Sequence, residues 1–236
     1  MSALTERLAN LVGDVLLGTA QVTGVRSLPG GLVLVELTAG AFRKATWTPG
    51  WKLRIRARRG TMALRTYTPI NADIERGTVE LIGFVHAGGP GAQWFQQAAI
   101  GDTCEIFGPH RSMDLTSVAG RALFVGDETS LGLACALHRL TGDATYLIEA
   151  QDPAGLSEAL SEVGIDAPVT VLAKDADHTD LVRRAADRVA GHSYTLVVTG
   201  DAATVHTLRR ASRNWSPAPE RVLGKAYWAA GRTGLD

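Results

Sequence analysis

The stretch Arg65-Thr66-Tyr67-Thr68-Pro69 decides how the rest of the chain is interpreted. It follows a run, from Trp51 to Leu64, in which apolar residues recur at every second position, so a strand is expected here. On that alternation, Arg65 and Tyr67 share one face. Arginine can bind phosphate oxygens and tyrosine can cover a flat ring, so the pair suits a ligand that carries both groups, such as flavin adenine dinucleotide (FAD). An ordinary strand with a packed tyrosine and a solvated arginine is the alternative.

Later segments of the sequence help to decide between an FAD site and an ordinary strand. A glycine-rich run, 88–91, leads into a helical-looking segment, 91–99. A glycine loop at a helix start leaves backbone N–H groups and the positive end of the helix dipole available to a phosphate, and a plain surface turn is the alternative. The segments are His86-Ala87-Gly88-Gly89-Pro90-Gly91-Ala92-Gln93-Trp94, Gly101-Asp102, Gly108-Pro109, Gly126-Asp127-Glu128-Thr129-Ser130, Gly200-Asp201, and Lys225-Ala226-Tyr227-Trp228 with Gly231-Arg232.

Composition excludes several classes of protein. Lys+Arg and Asp+Glu balance at 24 each among 236 residues, so no global field attracts nucleic acid or an anionic membrane. Cys104 and Cys135 are too few to hold an iron–sulfur cluster, and the six histidines show no metal-ligand spacing. Glu6, Arg7 and Asp14 interrupt the N-terminal apolar pattern, and no apolar run reaches the length of a spanning helix, so we expect a cytoplasmic protein.

The pattern predicts two domains and a leading helix. Residues 1–14 are expected to contain a short amphipathic helix. Residues 15–116 hold six short strands, one of them from Arg65 to Ile70, and the turn signals between them predict a closed antiparallel barrel. Residues 117–236 alternate strands and helices, which predicts a doubly wound parallel sheet.

Ligands bind at the carboxyl ends of the strands in such a sheet. Gly126-Asp127-Glu128-Thr129 follows the first predicted strand and Thr199-Gly200-Asp201 follows the fourth, so both are expected to line one crevice. The Gly-x-Gly-x-x-Gly dinucleotide signature is missing from the sequence.

In this order and spacing, the segments resemble the siderophore-interacting proteins, which are flavin-dependent ferric-siderophore reductases built like ferredoxin–NADP reductase, over residues 15–232. The resemblance implies an FAD-binding barrel and an NAD(P)-binding domain, with NADPH or NADH as electron donor. It implies a ferric siderophore as substrate, contact with a siderophore importer, no metal site, and chemistry carried by the flavin without a catalytic side chain.

The resemblance also assigns roles to residues. Arg65 would neutralise the flavin pyrophosphate, Tyr67 would stack on the isoalloxazine ring and Thr68 would reach its N5/O4 edge. Lys225 and Arg232 would meet the substrate. The remaining residues expected to bind a cofactor are His86, Gly89, Gly91, Ala92, Trp94, Asp127, Glu128, Thr129, Gly200 and Asp201.

The sequence departs from the family pattern in the phosphate loop. Ala92 and Gln93 stand where the family usually has serine and arginine, so a hydroxyl donor and a charge are missing. A flavin-binding sensor, or an accessory module of a transporter without efficient turnover, is therefore the alternative function.

Overall fold

The computed structural model describes residues 18–57, 64–85, 89–175, 177–189 and 191–231. The chain divides into two units, Met1–Asp114 and Leu115–Asp236. The predicted N-terminal helix, His86 and Arg232 lie outside the described residues.

Unit 1 is built on an antiparallel sheet of seven strands, in the order β4-β3-β7-β1-β2-β6-β5. One α-helix, α1 (Pro90–Gln97), lies in the chain between β6 and β7. The strands are β1 (Gly18–Leu28), β2 (Leu32–Thr38), β3 (Lys52–Arg56), β4 (Leu64–Tyr67), β5 (Ile70–Asp73), β6 (Thr78–Phe84) and β7 (Thr103–His110).

The antiparallel class is as predicted, but the strand count is seven and not six. The run predicted as one strand from Arg65 to Ile70 divides at Thr68-Pro69 into β4 and β5, because proline has no N–H with which to continue a ladder. The predicted closure is also wrong for the described residues, in which β4 and β5 form the two edges of the sheet.

The core of unit 1 follows from strand alternation. On β3, Leu53 and Ile55 are fully buried, and they join a cluster that includes Phe42 and Phe95. Each such side chain contributes roughly 1.5–3 kcal/mol when it is removed from water. Phe95 comes from α1, so the same core fixes the helix against the sheet.

Unit 2 is the predicted parallel sheet with strand–helix alternation, in the order β10-β9-β8-β11-β12. The strands are β8 (Ala122–Asp127), β9 (Ala144–Ala150), β10 (Val169–Ala173), β11 (Thr195–Asp201) and β12 (Arg221–Trp228). The helices are α2 (Leu131–Leu140), α3 (Pro153–Glu162), α4 (Thr179–Val189) and α5 (Ala202–Ala211).

The strand order places the topological switch point of unit 2 between β8 and β11, because the chain passes from β8 outward to β9 and β10 and then returns to the other side of β8. Leu123 and Val125 of β8 pack with Leu181 of α4 and Leu208 of α5 in one buried cluster. Asp127 lies two residues after Val125, so alternation places it on the same face of the sheet as Leu123 and Val125.

Both cysteines are free and buried, Cys104 in β7 and Cys135 in α2. Burial, with a smaller effect from the nearby Glu105 carboxylate, raises the pKa of the Cys104 thiol to about 12. Within the described ranges, no helix is both long and apolar enough to cross a membrane.

Candidate functional site

Arg65 and Tyr67 lie on one face of β4, and that face meets the start of α1. A Cβ atom placed on Gly91 would lie 2.3 Å from the Tyr67 hydroxyl oxygen and 3.4 Å from Cγ of Arg65. The absence of a side chain at Gly91 therefore lets both residues approach the helix backbone. The structure thus brings Gly91 against two residues that lie 24 and 26 positions earlier in the sequence.

The Tyr67 ring packs edge-to-face on Phe95, with 4.9 Å between the ring centroids. Burial raises the pKa of the Tyr67 hydroxyl, and the nearby Arg65 cation opposes the shift. Arg65 donates from Nη1 to the carbonyl of Leu64 at 2.9 Å, and its side chain is half-buried. Thr68 follows directly and is also half-buried.

The start of α1 lies beside Arg65 and Tyr67 and has no side-chain cap among the described residues. Gly89 is the N-cap residue in an extended conformation, and Pro90 is the first helical residue. The first N–H groups of a helix have no partner within it, so those of Gly91 and Ala92 lie at the positive end of the helix dipole. Trp94 packs edge-to-face on Phe95 and holds the helix in place.

At the carboxyl end of β8 in unit 2, Asp127 is 4% exposed and makes contacts in two directions. Its Oδ1 accepts hydrogen bonds from the backbone N–H and the hydroxyl of Thr129. Its Oδ2 accepts from Nε1 of Trp228, at the end of β12, at 2.7 Å. Burial raises the pKa of Asp127, against the opposing effects of these hydrogen bonds and of Lys174.

Glu128 is 2% exposed, and its carboxylate is held on both oxygens. Oε1 accepts from the backbone N–H of Gln151 at 2.6 Å, and Oε2 pairs with Nζ of Lys174 at 2.7 Å. Lys174 directly follows β10, and its ammonium also lies 5.3 Å from the centroid of the Trp228 ring.

A third acid lies beside this group at the end of β9. Glu149 is opposite Asp127 in the ladder, and its Oε2 is 3.6 Å from Nδ1 of His178. The same ring nitrogen is 3.4 Å from the hydroxyl of Thr204 in α5. Burial raises the pKa of Glu149, and the His178 imidazole opposes the shift.

Gly200 allows the Asp127 carboxylate to lie across the end of β11. Its φ is +109°, and a Cβ atom on it would be 2.7 Å from the carboxylate carbon of Asp127. The neighbouring Thr199 is buried, and its hydroxyl has no hydrogen-bond partner among the residues that the structure describes. Asp201 is half-buried and is the N-cap residue of α5.

The site residues predicted from sequence thus fall into two groups, one in each unit. In unit 2, Asp127, Glu128, Thr129, Gly200 and Asp201 meet at the carboxyl ends of β8 and β11. Lys225 is in the middle of β12, paired with Thr199, and half-buried.

Three residues of this site are not predicted from the sequence: Lys174, Glu149 and His178. A signal for Lys174 was present, because it directly follows the third predicted strand of a parallel sheet and so lies at the ligand-binding edge. No sequence signal identified Glu149 and His178, because their pairing depends on the strand register and on where α4 begins.

Solved structures share this fold. The structure superposes on the ferredoxin reductase of carbazole 1,9a-dioxygenase with a TM-score of 0.74 and 19% identity, over 90% of this chain and 69% of that one. It superposes on the siderophore-interacting protein of Acinetobacter baumannii with a TM-score of 0.75 and 15% identity, over 92% of both chains. The fold is therefore of the ferredoxin reductase class.

The sequence adds two further similarities. Residues 34–113 match the family model of the siderophore-interacting FAD-binding domain. The chain is also 28% identical over 172 residues to the NADPH-dependent ferric-chelate reductase of Escherichia coli (strain K12), a match that covers 70% of this chain and 66% of that protein. The matched residues 34–113 lie in unit 1, so it is this unit that is similar to the siderophore-interacting FAD-binding domain.

Proposed function

We propose that this protein is an NADPH- or NADH-dependent reductase that uses FAD to reduce a ferric siderophore and release its iron as Fe(II). The observation that carries the proposal is the site in unit 1, where Arg65 and Tyr67 lie against the uncapped start of α1. A cation, free backbone N–H groups and an aromatic ring fit a ligand with a pyrophosphate and a flat ring system.

The residues present fit FAD. A Cβ at Gly91 would collide with the Tyr67 hydroxyl, so the glycine is what lets the start of α1 lie this close to Tyr67 and Arg65. Arg65 would supply the charge, Gly89, Gly91 and Ala92 the backbone contacts, and Thr68 a hydroxyl. Bound FAD would accept an electron pair as hydride and give up electrons singly, which links a two-electron donor to a one-electron acceptor.

The reaction balances without an acid–base residue. One NADPH loses a hydride and becomes NADP⁺, two ferric ions each gain one electron, and one proton is released. Ferrous iron binds the hard oxygen donors of a siderophore less tightly than ferric iron does, so reduction releases the metal. The similarity to a ferric-chelate reductase supports this substrate class. A cytoplasmic location, where NADPH is available, and contact with a siderophore importer belong to the same proposal.

Anaerobic spectroscopy of the purified protein tests the proposal. Yellow protein should bleach on addition of NADPH and regain its colour when a ferric chelate is added, with Fe(II) trapped by a ferrous indicator. Colour without bleaching would contradict the proposed activity and would favour the flavin-binding module.

A further inference from the structure

The carboxyl edge of unit 2 presents an aromatic ring and a cation above buried acids. Asp127 and Glu128 are almost inaccessible, at 4% and 2% exposure. The side chain of Lys174 is 29% exposed and Trp228 is half-buried. A ligand that arrives at this edge therefore meets Trp228 and Lys174 before it meets either carboxylate.

Trp228 reaches the switch point from the edge strand of the sheet. β12 is separated from β8 by β11, and neighbouring strands are about 4.8 Å apart, so roughly 10 Å separates the ends of β8 and β12. The hydrogen bond from Nε1 of Trp228 to Asp127 spans that gap. It does so over Gly200, where a side chain would collide with the Asp127 carboxylate.

Lys174 reaches the same point from the opposite edge. It follows β10, and its ammonium pairs with Glu128, directly after β8, at 2.7 Å. The ammonium has three donors, so the ion pair leaves capacity for another acceptor. The ammonium also lies over the Trp228 ring, 5.3 Å from its centroid, so the cation and the ring meet at the carboxyl ends of the strands.

We propose that Trp228 and Lys174 form the surface that receives the nicotinamide nucleotide, with the indole against a ring of the ligand and the ammonium on a phosphate. Asp127 and Glu128 are positioning residues, which hold the indole and the ammonium respectively. This inference rests on the proposed function, because it names the residues with which unit 2 binds the electron donor. It changes the expected role of Asp127 and Glu128 from direct contact with the nucleotide to support of Trp228 and Lys174.

Equilibrium binding of NADP⁺ and NAD⁺ tests this without turnover. In calorimetric titrations of the flavin-loaded protein, Trp228→Ala should weaken NADP⁺ binding by about tenfold or more through loss of the stacking surface. Trp228→Phe keeps a ring and should have a smaller effect. Trp215→Phe is the matched control, because Trp215 packs on the core of the same unit. An affinity of Trp228→Ala within twofold of the parent would overturn the proposal.

The positioning residues are tested through the groups that they hold. Asp127→Ala should move the indole N–H signal of Trp228 in a ¹H–¹⁵N spectrum and weaken NADP⁺ binding, and Asp127→Asn, which keeps an acceptor oxygen, should partly restore both. Glu128→Gln should weaken binding through Lys174. Unchanged indole signals and NADP⁺ affinities in all three variants would show that Asp127 and Glu128 have only a structural role.

The Lys174→Gln variant shows which phosphate of the nucleotide the ammonium binds, the diphosphate or the 2′-phosphate. Equal losses for NADP⁺ and NAD⁺ would place the ammonium on the shared diphosphate, and a loss for NADP⁺ alone would place it on the 2′-phosphate. No loss for either nucleotide would remove Lys174 from the site. Because Lys174→Gln leaves a buried carboxylate unpaired, the Lys174→Gln/Glu128→Gln double variant is measured beside it.

Failure of the inference is distinguishable from failure of the proposed function. If the parent bleaches with NADPH while Trp228→Ala binds NADP⁺ normally, only the inference is wrong. If the parent binds NADP⁺ as described but does not reduce a ferric chelate, only the proposed function is wrong.

Discussion

Two adjacent acids at the end of β8, Asp127 and Glu128, perform different tasks. Asp127 binds Thr129 within its own turn and Trp228 from the far edge of the sheet, whereas Glu128 binds Gln151 and Lys174 on the other side. Both are desolvated, and each is matched by donors that come from other strands. A buried carboxylate is tolerated only when its oxygens are satisfied in this way.

At the same scale, Arg65→Ala should weaken FAD binding. Loss of a charge-assisted hydrogen bond costs about 1.5–3 kcal/mol, which corresponds to a rise of roughly 10–150-fold in the dissociation constant of FAD. Fluorescence titration of the deflavinated protein measures this constant. Arg111→Ala, at an exposed arginine of the same unit, is the control. Equal FAD affinity in the parent and Arg65→Ala would remove Arg65 from the site.

Gly91→Ala should displace Tyr67 and lower the FAD content. The added Cβ would lie 2.3 Å from the Tyr67 hydroxyl oxygen, a distance that forces the ring or the helix to move. Gly40→Ala provides the matched control, because a Cβ on Gly40 meets nothing within 4 Å. The flavin-to-protein absorbance ratio after purification measures the effect, and a ratio as high as that of Gly40→Ala would contradict this account of Gly91.

The buried Asp127 carboxyl should give the protein a component of stability that falls as pH rises. Its pKa is raised above the ordinary value of 3.8, so above that pH the folded state retains a proton that the unfolded state has lost. Asp127→Asn removes this component. The free energy of unfolding of the parent, minus that of Asp127→Asn, should therefore decrease with pH from about 3.8 to the raised folded value, by up to about 1.4 kcal/mol per pH unit.

Urea unfolding of both proteins at a series of pH values measures this difference, with Glu158→Gln as the control at an exposed acid. A difference that stays constant or grows with pH would show that the carboxyl is not destabilised by burial.

At the scale of the element, a helix that packs on a sheet has its two ends at opposite edges of that sheet. α5 starts beside Asp201 at the carboxyl edge, so its last turn, with Arg209 and Arg210, lies toward the amino edge. The stem of Arg209 packs against Gly224 in the middle of β12. The two arginines are therefore remote from the dinucleotide edge, although their sequence position after the Asp201 loop suggests a role with the 2′-phosphate.

The consequence is that Arg209→Ala and Arg210→Ala should leave the preference between NADPH and NADH unchanged. Comparing kcat/KM for both donors, in each variant and in the parent, measures the preference. A shift toward NADH of tenfold or more in either variant would place the side chain near the nucleotide despite its position on the helix.

Element types could be predicted more fully than their pairing. Alternation in β3 and the strand–helix order after residue 120 are periodic signals, and both led to the observed elements. The division of one predicted strand at Pro69 was readable from proline chemistry but was missed. The partnership of Trp228 with Asp127 depends on strand order across three strands, which periodicity does not encode.

At the scale of the whole molecule, 24 basic and 24 acidic residues cancel, so no net charge steers a charged substrate over long distances. The salt dependence of the reaction must then come from local cations. Lys225 of β12 is one predicted to meet the anionic ferric siderophore, and Lys225→Ala should lower both the rate with an anionic ferric chelate and its sensitivity to salt. Steady-state rates between about 0.02 and 0.5 M NaCl measure this. The same rate and the same salt slope in both proteins would exclude Lys225 from receiving substrate.

The burial of both thiols has a practical consequence. A thiol reacts with a maleimide as its thiolate, and Cys104 and Cys135 are the chain's complete set of cysteines, both shielded from reagent. A single cysteine introduced at the exposed Gly40 or Gly142, where a side chain meets no neighbour, would therefore be the reactive one. The protein could then be tethered in a chosen orientation to a gold electrode, and its redox chemistry could be driven by voltage in place of a nucleotide.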